Sequence, residues 1–389
     1  VKVTKGRDDV DFERTQEQRM IQTMVREFAE AEIMPKAAEV DRTGRFPSET
    51  FVKLGQLGLL GLPIAEQYGG AGADTISYAL AVEEIGRACG STGLSYAAHV
   101  SLGCGPLSYF GTEEQKLKYL TPLASGEALG AFGLTEPGAG SDAGGTQTRA
   151  VREGDEYVIN GSKTYITNAS YARTIVVTAV VGVDERGKNR IAAFIVPTDT
   201  PGFQVVRTYE KMGLRGSNTC ELALDDVRIP AANLLGSEEG GFKQFLYTLD
   251  GGRISIGALS IGIARAAYEA ALQYAKERVQ FGQAISKFQA IQFKLADMAM
   301  NIELARLMVH KAAWLKDNKQ PFTKEAAMAK LFASEMCMRT ADQAVQIHGG
   351  AGYVMDFPVE RFMRDAKLME IGEGTSEIQR MVIARQIGC

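Results

Sequence analysis

Phe132-Gly133-Leu134-Thr135-Glu136-Pro137-Gly138-Ala139-Gly140-Ser141-Asp142, continued by Ala143, contains the spacing Gly-x-Gly-x-x-Ala. In a dinucleotide-binding βαβ unit that spacing closes a strand and opens a helix whose N-terminus meets a pyrophosphate. Here residues 143–151 show no 3.6-residue apolar period and become strand-like. The doubly wound reading therefore fails on context. What remains is a Gly-rich bend whose N–H groups and hydroxyls, those of Thr135 and Ser141, can approach a planar ligand.

Outward from this loop the chain divides into thirds. Before it, Thr15 to Ala37 carries Met20, Ile21, Met24, Val25, Phe28 and Ile33, roughly one helical face. Ser48–Leu57 and Thr75–Arg87 read as further helices. Thr112-Glu113-Glu114-Gln115 is a capping box opening a short helix that Pro122 is expected to close. After the loop come short β-rich runs. Residues 156–167 read as a hairpin turning at Asn160-Gly161. Strands are expected over 174–181, 191–196, 203–206 and 219–224. From Gly236 the chain is helical again, over 242–276, 285–316 and 324–347. Helices that long, apolar on more than one face, suit a bundle completed by other subunits. The expected domains are 1–125, 126–236 and 237–389.

A chain of 389 residues, 45% hydrophobic and 23% charged, has the balance of a globular protein with more than one core. A net charge of −4 argues against a nucleic-acid partner. No run approaches the roughly 20 apolar residues of a membrane span, and the first residues lack an apolar leader segment. The five Cys show no CxxC spacing, which fits free thiols in a reducing compartment. The three His are scattered, so a His-based metal site is not expected.

A second informative stretch is Met369-Glu370-Ile371-Gly372-Glu373-Gly374-Thr375-Ser376-Glu377-Ile378-Gln379-Arg380. Glycines on both sides of Glu373 let backbone and ligand come close to its carboxylate. Thr375 or Ser376 can cap the helix that follows. Alone, such a string reads equally well as an exposed turn beside a cap. Four more strings accompany it: Tyr165-Ile166-Thr167-Asn168, Leu249-Asp250-Gly251-Gly252-Arg253, Arg278-Val279-Gln280-Phe281-Gly282 with Gln289 beyond, and Gln346-Ile347-His348-Gly349-Gly350.

In this order the strings resemble those of the acyl-CoA dehydrogenase family, and the resemblance covers essentially the whole chain. It implies an α+β fold: an N-terminal helical domain, a middle β-barrel or sandwich-like domain and a C-terminal four-helix bundle. It implies FAD, held by Phe132, Leu134, Thr135, Gly140, Ser141, Tyr165, Ile166, Thr167, Arg278, Phe281, Gln289, Gln346, Gly349, Gly350, Thr375 and Glu377. Tyr165 stands where many members have Trp. The resemblance further implies an acyl-CoA substrate contacted by Ser141, Tyr247, Asp250, Arg253 and Gly374. Glu373 would be the base for the α-proton and FAD N5 the hydride acceptor, giving a trans-2-enoyl-CoA. Some relatives carry the base near Asp250, but Gly252-Arg253 stand there. Electron-transfer flavoprotein is the implied electron acceptor, a homotetramer the implied assembly, and the bacterial cytoplasm or mitochondrial matrix the implied location.

The chain looks closest to short- and branched-chain members. Glutaryl-CoA members have an Arg in the helix around Thr92–Val100, where this chain has none. Straight-chain members usually have Tyr before the base, where this chain has Gly372, so branched acyl groups gain room. Two other readings stand beside the enzyme: a non-catalytic scaffold or assembly relative, which would not need Glu373, and an acyl-CoA oxidase, a class that is typically much longer.

Overall fold

The computed structural model describes residues 13–389; residues 1–12, read above as lacking an apolar leader, lie outside them. A helical run opens the described chain. Thr15 caps the helix Gln16–Phe28 with a full capping box, a turn of π-helix follows over Ala29–Ile33, and helix resumes over Ala37–Thr43. Most of the expected apolar face packs inward, with Val25 and Ile33 buried and Ile21, Met24 and Phe28 packed against the core, but polar residues share it. Met20 is exposed, whereas Gln18 and Gln22 are buried. Gln22 Nε2 donates to Glu84 Oε1 at 2.7 Å, and Gln18 Nε2 to Asp74 Oδ2 at 2.7 Å.

Helices Ser48–Gln56 and Thr75–Ala88 form as expected. The capping box at Thr112 is present, but Pro122 does not close its helix. The helical path, with a π turn over Lys116–Leu120, continues through Pro122 and ends two residues later at Ala124. Gly90–Phe110, nearly all buried, is helical with a π turn at His99–Cys104. His99 is structural: its Nδ1 accepts from the Gly130 N–H at 3.0 Å, and burial holds its pKa down at about 4.

The middle of the chain is a mixed sheet of β1 (Leu129–Gly133), β2 (Arg149–Glu153), β3 (Glu156–Thr167), β4 (Ala172–Val183), β5 (Asn189–Pro197), β6 (Phe203–Thr208), β7 (Thr219–Pro230) and β8 (Leu234–Leu235). The order is β6-β7-β3-β2-β4-β5-β8, with β1 parallel to β4. A single pairing, Arg149 with Val180, joins β2 to β4. Tyr157, Ile159 and Leu222 from one side and Ile175, Val177 and Phe194 from the other fill one core, as in a sandwich.

The expected hairpin at Asn160-Gly161 is absent. β3 runs straight through these residues with a register shift between Ile159 and Gly161, and the real turn is Gly154-Asp155. A Cβ at Gly161 would stand 2.7 Å from Thr148 Cα, so this glycine serves a close strand approach.

The last third is built on the helix Gly241–Glu277, which packs along Thr323–His348, Gln289–Asp317 and Thr75–Ala88. Ala264, Ala267, Ala271 and Ala275 meet Ala333, Ala341 and Ala344 in one core cluster, small residues that let backbones approach closely. Glu83 and Glu84 are buried in this packing and paired with Arg265, Arg306 and Arg26. Burial disfavours the Glu84 carboxylate, yet Arg26 and Arg265 overcome it and hold its pKa at about 2. Among the described residues no helix is long and apolar enough to cross a membrane.

Candidate active site

Glu373 sits between the helices Val359–Met369 and Ser376–Gln386 with φ +53°, followed by Gly374 at +94°. A left-handed non-Gly residue costs on the order of 1–3 kcal/mol and persists only where its surroundings impose it. Here Gln379 Nε2 donates to the carbonyls of both Glu373 and Gly374 at 3.0 Å, and Thr375 Oγ1 caps the Ile378 N–H at 3.3 Å. The Ser376 N–H closes the loop onto Glu370 O at 3.0 Å.

The Glu373 side chain reaches back onto helix Gly241–Glu277. Its Oε2 is sealed from solvent with no hydrogen-bond partner. It lies directly against Gly252, where a Cβ would stand 2.6 Å from the carboxyl carbon and 2.9 Å from Oε1. Desolvation pushes the Glu373 pKa up to about 7, against the opposing charges of Arg253 and Lys330. A half-buried carboxylate with one sealed, unpaired oxygen, held near neutrality, has the proton affinity of a general base.

Below it, Asp250 and Arg253 are buried and paired at 2.5 Å, and Thr323 Oγ1 donates to Asp250 Oδ2 at 2.6 Å. Tyr247 is half-exposed and stands edge-on to Tyr109, Phe110 and Phe322. Lys316 lies over the Tyr109 ring at 5.4 Å, and both approach Gly251. An aromatic wall thus flanks the bare glycine step beside the carboxylate.

On the β side, Phe132 and Ile166 are core residues, so any ligand contact from them is through backbone. The loop after β1 is anchored by Glu136, which accepts from Lys163 Nζ at 2.8 Å, the Gln147 N–H at 2.7 Å and the Thr148 N–H at 3.0 Å. Lys163 is fully buried; desolvation lowers its pKa to about 8, opposed by Glu136. Thr135 O accepts from the Thr164 N–H at 2.8 Å, which ties the loop to β3 just before Tyr165. Tyr165 itself has φ +58° and a ring 64% exposed, 5.1 Å from Tyr209. Leu134 and Thr167 are half-buried, while Gly140 and Ser141 are exposed on the loop.

Arg278, Gly349 and Gly350 line a separate cleft of about 440 Å³ with Tyr274, Ile347 and His348. Gln289, Gln346 and Phe281 are exposed, the last 94%. No hydrogen bond among the described residues joins this cleft to Glu373 or to the loop after β1. Glu377 is exposed on the first turn after the Thr375 cap. The structure thus gathers Glu373, Gly374, Asp250, Arg253 and Tyr247 on one side, and the Tyr165 strand with its loop on the β domain. Lys163, Lys330, Lys316 and Tyr109 escaped the sequence reading, since a lysine inside a helix or strand pattern carries no signal that it points inward.

Fold and site define a flavin-dependent acyl-CoA oxidoreductase class, and comparison bears this out. The family descriptions for the acyl-CoA dehydrogenase N-terminal, middle and C-terminal domains match residues 15–127, 131–227 and 239–388. The chain belongs to the acyl-CoA dehydrogenase family, whose members are FAD-dependent oxidoreductases. It is 71% identical over 97% of its length to a probable acyl-CoA dehydrogenase of Bacillus subtilis, all of which is covered. It is 50% identical, at the same coverage of both, to a short-chain specific acyl-CoA dehydrogenase of Clostridium acetobutylicum. The butyryl-CoA dehydrogenase structure of Megasphaera elsdenii superposes with a TM-score of 0.95 at 46% identity, over 97% of this chain and 100% of that one.

Proposed function

We propose that the chain converts a short- or branched-chain acyl-CoA to its trans-2-enoyl-CoA, with Glu373 removing the α-proton. The observation that carries this is the half-buried Glu373 carboxylate lying against Gly252, with its Oε2 sealed and unpartnered. An assembly protein would have no use for such a group, whose burial works against stability. The Glu373 N–H makes no hydrogen bond among the described residues and is free to polarise the thioester carbonyl. Tyr109, Tyr247 and Phe322 set an aromatic wall beside the approach, and a bound acyl chain that excluded water there would strengthen every electrostatic contact inside.

The residues present fit FAD. A Cβ at Gly138 or Gly140 would touch nothing within 4 Å, so the loop offers open backbone beside the exposed Tyr165 ring. Thr135, Ser141, Tyr165 and Thr167 would hold the isoalloxazine, which when bound supplies the acceptor for the β-hydride. Arg278, with its bidentate fork, and Gln346 with Gly349 and Gly350 would hold the pyrophosphate and adenine side. Their cleft is separate from the Glu373 site within the chain, which favours their serving a neighbour's cofactor. Phe293, Met300, Leu304 and Leu307 form an exposed apolar stripe on Gln289–Asp317, as a homotetramer core would use. Electron-transfer flavoprotein is the proposed acceptor. Purified protein is expected to be yellow, with one non-covalent FAD per chain in a tetramer. Light scattering that showed a stable, FAD-loaded monomer would contradict the shared site, and colourless protein that cannot be reconstituted would remove the enzyme reading.

Specificity follows from Gly372. A Cβ there would find only Leu368 O at 3.5 Å and Leu368 Cγ at 3.8 Å, so a side chain can start at this position and its absence leaves room. Anaerobic addition of butyryl-, isobutyryl-, 2-methylbutyryl- and isovaleryl-CoA should bleach the flavin, with a graded preference. One or two methyl groups are worth about 1–3 kcal/mol in an apolar pocket. Gly372→Tyr should cut kcat/KM for the branched substrates more than for butyryl-CoA. Equal losses, or wild-type rejection of every branched acyl-CoA, would show that something else fills the space.

A further inference from the structure

Lys330 lies in the helix Thr323–His348, fully buried among Ala326, Ala327, Ala329 and Ala333. Its Nζ donates to the carbonyl of Gly374, the residue after the base, at 2.6 Å. No carboxylate pairs with it among the described residues. A buried ammonium without an anionic partner is costly, and an alanine-lined helix has no structural need of one. Gly374 O also accepts from Gln379 Nε2 at 3.0 Å, so two side chains grip the peptide that ends the base's left-handed turn.

The other charges around the loop are largely neutralised. From the helix Gly241–Glu277, Arg253 is met by Asp250 at 2.5 Å. On the helix of Lys330 itself, Glu335 pairs with Arg380 of Ser376–Gln386 at 2.7 Å. From Val359–Met369 and its end, Glu370 pairs with Lys367 at 2.6 Å. Glu377 is exposed to water, and Tyr78, on Thr75–Ala88, is a neutral buried phenol donating to Ala97 O at 3.0 Å. Lys316, on Gln289–Asp317, lies over the Tyr109 ring, and among the described residues the buried cation without a carboxylate pair that acts on Glu373 is Lys330.

We infer that Lys330 is a positioning residue for the base: it fixes the loop that presents Glu373, and its positive charge favours the carboxylate form. The inference rests on the reading of Glu373 as base. The two groups also act on each other, since Glu373 opposes the desolvation that lowers the Lys330 pKa to about 8. Removing a nearby cation favours the protonated acid, so the base should titrate at higher pH without Lys330.

The test is kcat/KM for butyryl-CoA across about pH 5.5–9.5, with FAD per chain, in the holoenzymes of Lys330→Met, Lys330→Gln and Lys330→Arg. Lys330→Gln keeps a donor toward Gly374 O without charge, so it reads the charge even where the apolar variant folds poorly. In Lys330→Gln and Lys330→Met the acid limb should move up by about one pH unit. That is about a tenfold loss below the limb which fades at high pH. Lys330→Arg should keep the limb in place. A neutral variant that retains FAD and shows the wild-type limb, or a loss that is uniform in pH, overturns the inference. If instead Glu373→Gln turns over normally, the base assignment itself has failed. If Glu373→Gln is inactive while the Lys330→Gln limb is unmoved, only the role of Lys330 is lost.

Discussion

Glu373→Gln is expected to lower turnover by about 10²–10⁴-fold, the usual range for loss of a general base, while FAD content stays at the wild-type level. The amide keeps the size of the side chain and cannot take the α-proton. Wild-type turnover should itself rise with pH through about 7, because the raised pKa of Glu373 leaves the acid form dominant below it. Stability should move the opposite way. The folded pKa lies above the ordinary carboxylate value of 4.5, so between those two values the folded protein binds more protons than the unfolded chain. The stabilising contribution is complete below the lower value and is lost as pH rises through about 7. Glu373→Gln should therefore melt at or above the wild-type temperature at pH 8. A variant that is inactive and also markedly less stable would mean the loop had collapsed, and normal turnover would move the base to the Asp250 region.

Gly252→Ala should be the second severe change, through geometry alone. The added methyl group falls 2.6 Å from the Glu373 carboxyl carbon, so the carboxylate must move or tilt. A displacement of about 1 Å at a reacting group can cost on the order of 10²-fold in rate. Gly252 lies inside the helix Gly241–Glu277, where Ala is favoured over Gly by about 1 kcal/mol. The expected outcome is thus a folded, FAD-containing protein with little turnover. Steady-state kinetics beside a thermal melt distinguishes this from damage to the fold. Full activity in Gly252→Ala would show that Glu373 works from another position.

Much of the fold was legible because its signals are local. The capping box at Thr112 formed as pattern predicts, and the Gly-x-Gly-x-x-Ala string was correctly set aside, since β2 rather than a long helix follows it. Misreadings arose where a local signal had a distant cause. Asn160-Gly161 looks like a turn, yet Gly161 is glycine because Thr148 crosses it. Gln18 and Gln22 look like surface residues, yet Asp74 and Glu84 draw them inside. Pairings such as Arg265 and Arg306 with Glu83 are made by residues nearly two hundred positions or more apart, which no helical period records.

The sequence by itself determined the chemical inventory: a carboxylate between glycines, a Gly-rich loop with hydroxyls, a free-thiol chain with scattered histidines, and helices whose small residues allow close packing. These follow from residue identity and short spacing. Only the tertiary structure decided what the inventory can do. It laid Glu373 on Gly252, 121 positions away by number, turned Lys330 inward to Gly374, and sealed one carboxylate oxygen of Glu373 from water. Proton affinity is set by desolvation and by charges a few ångströms away, and those neighbours are brought together by packing between helices rather than by proximity along the chain.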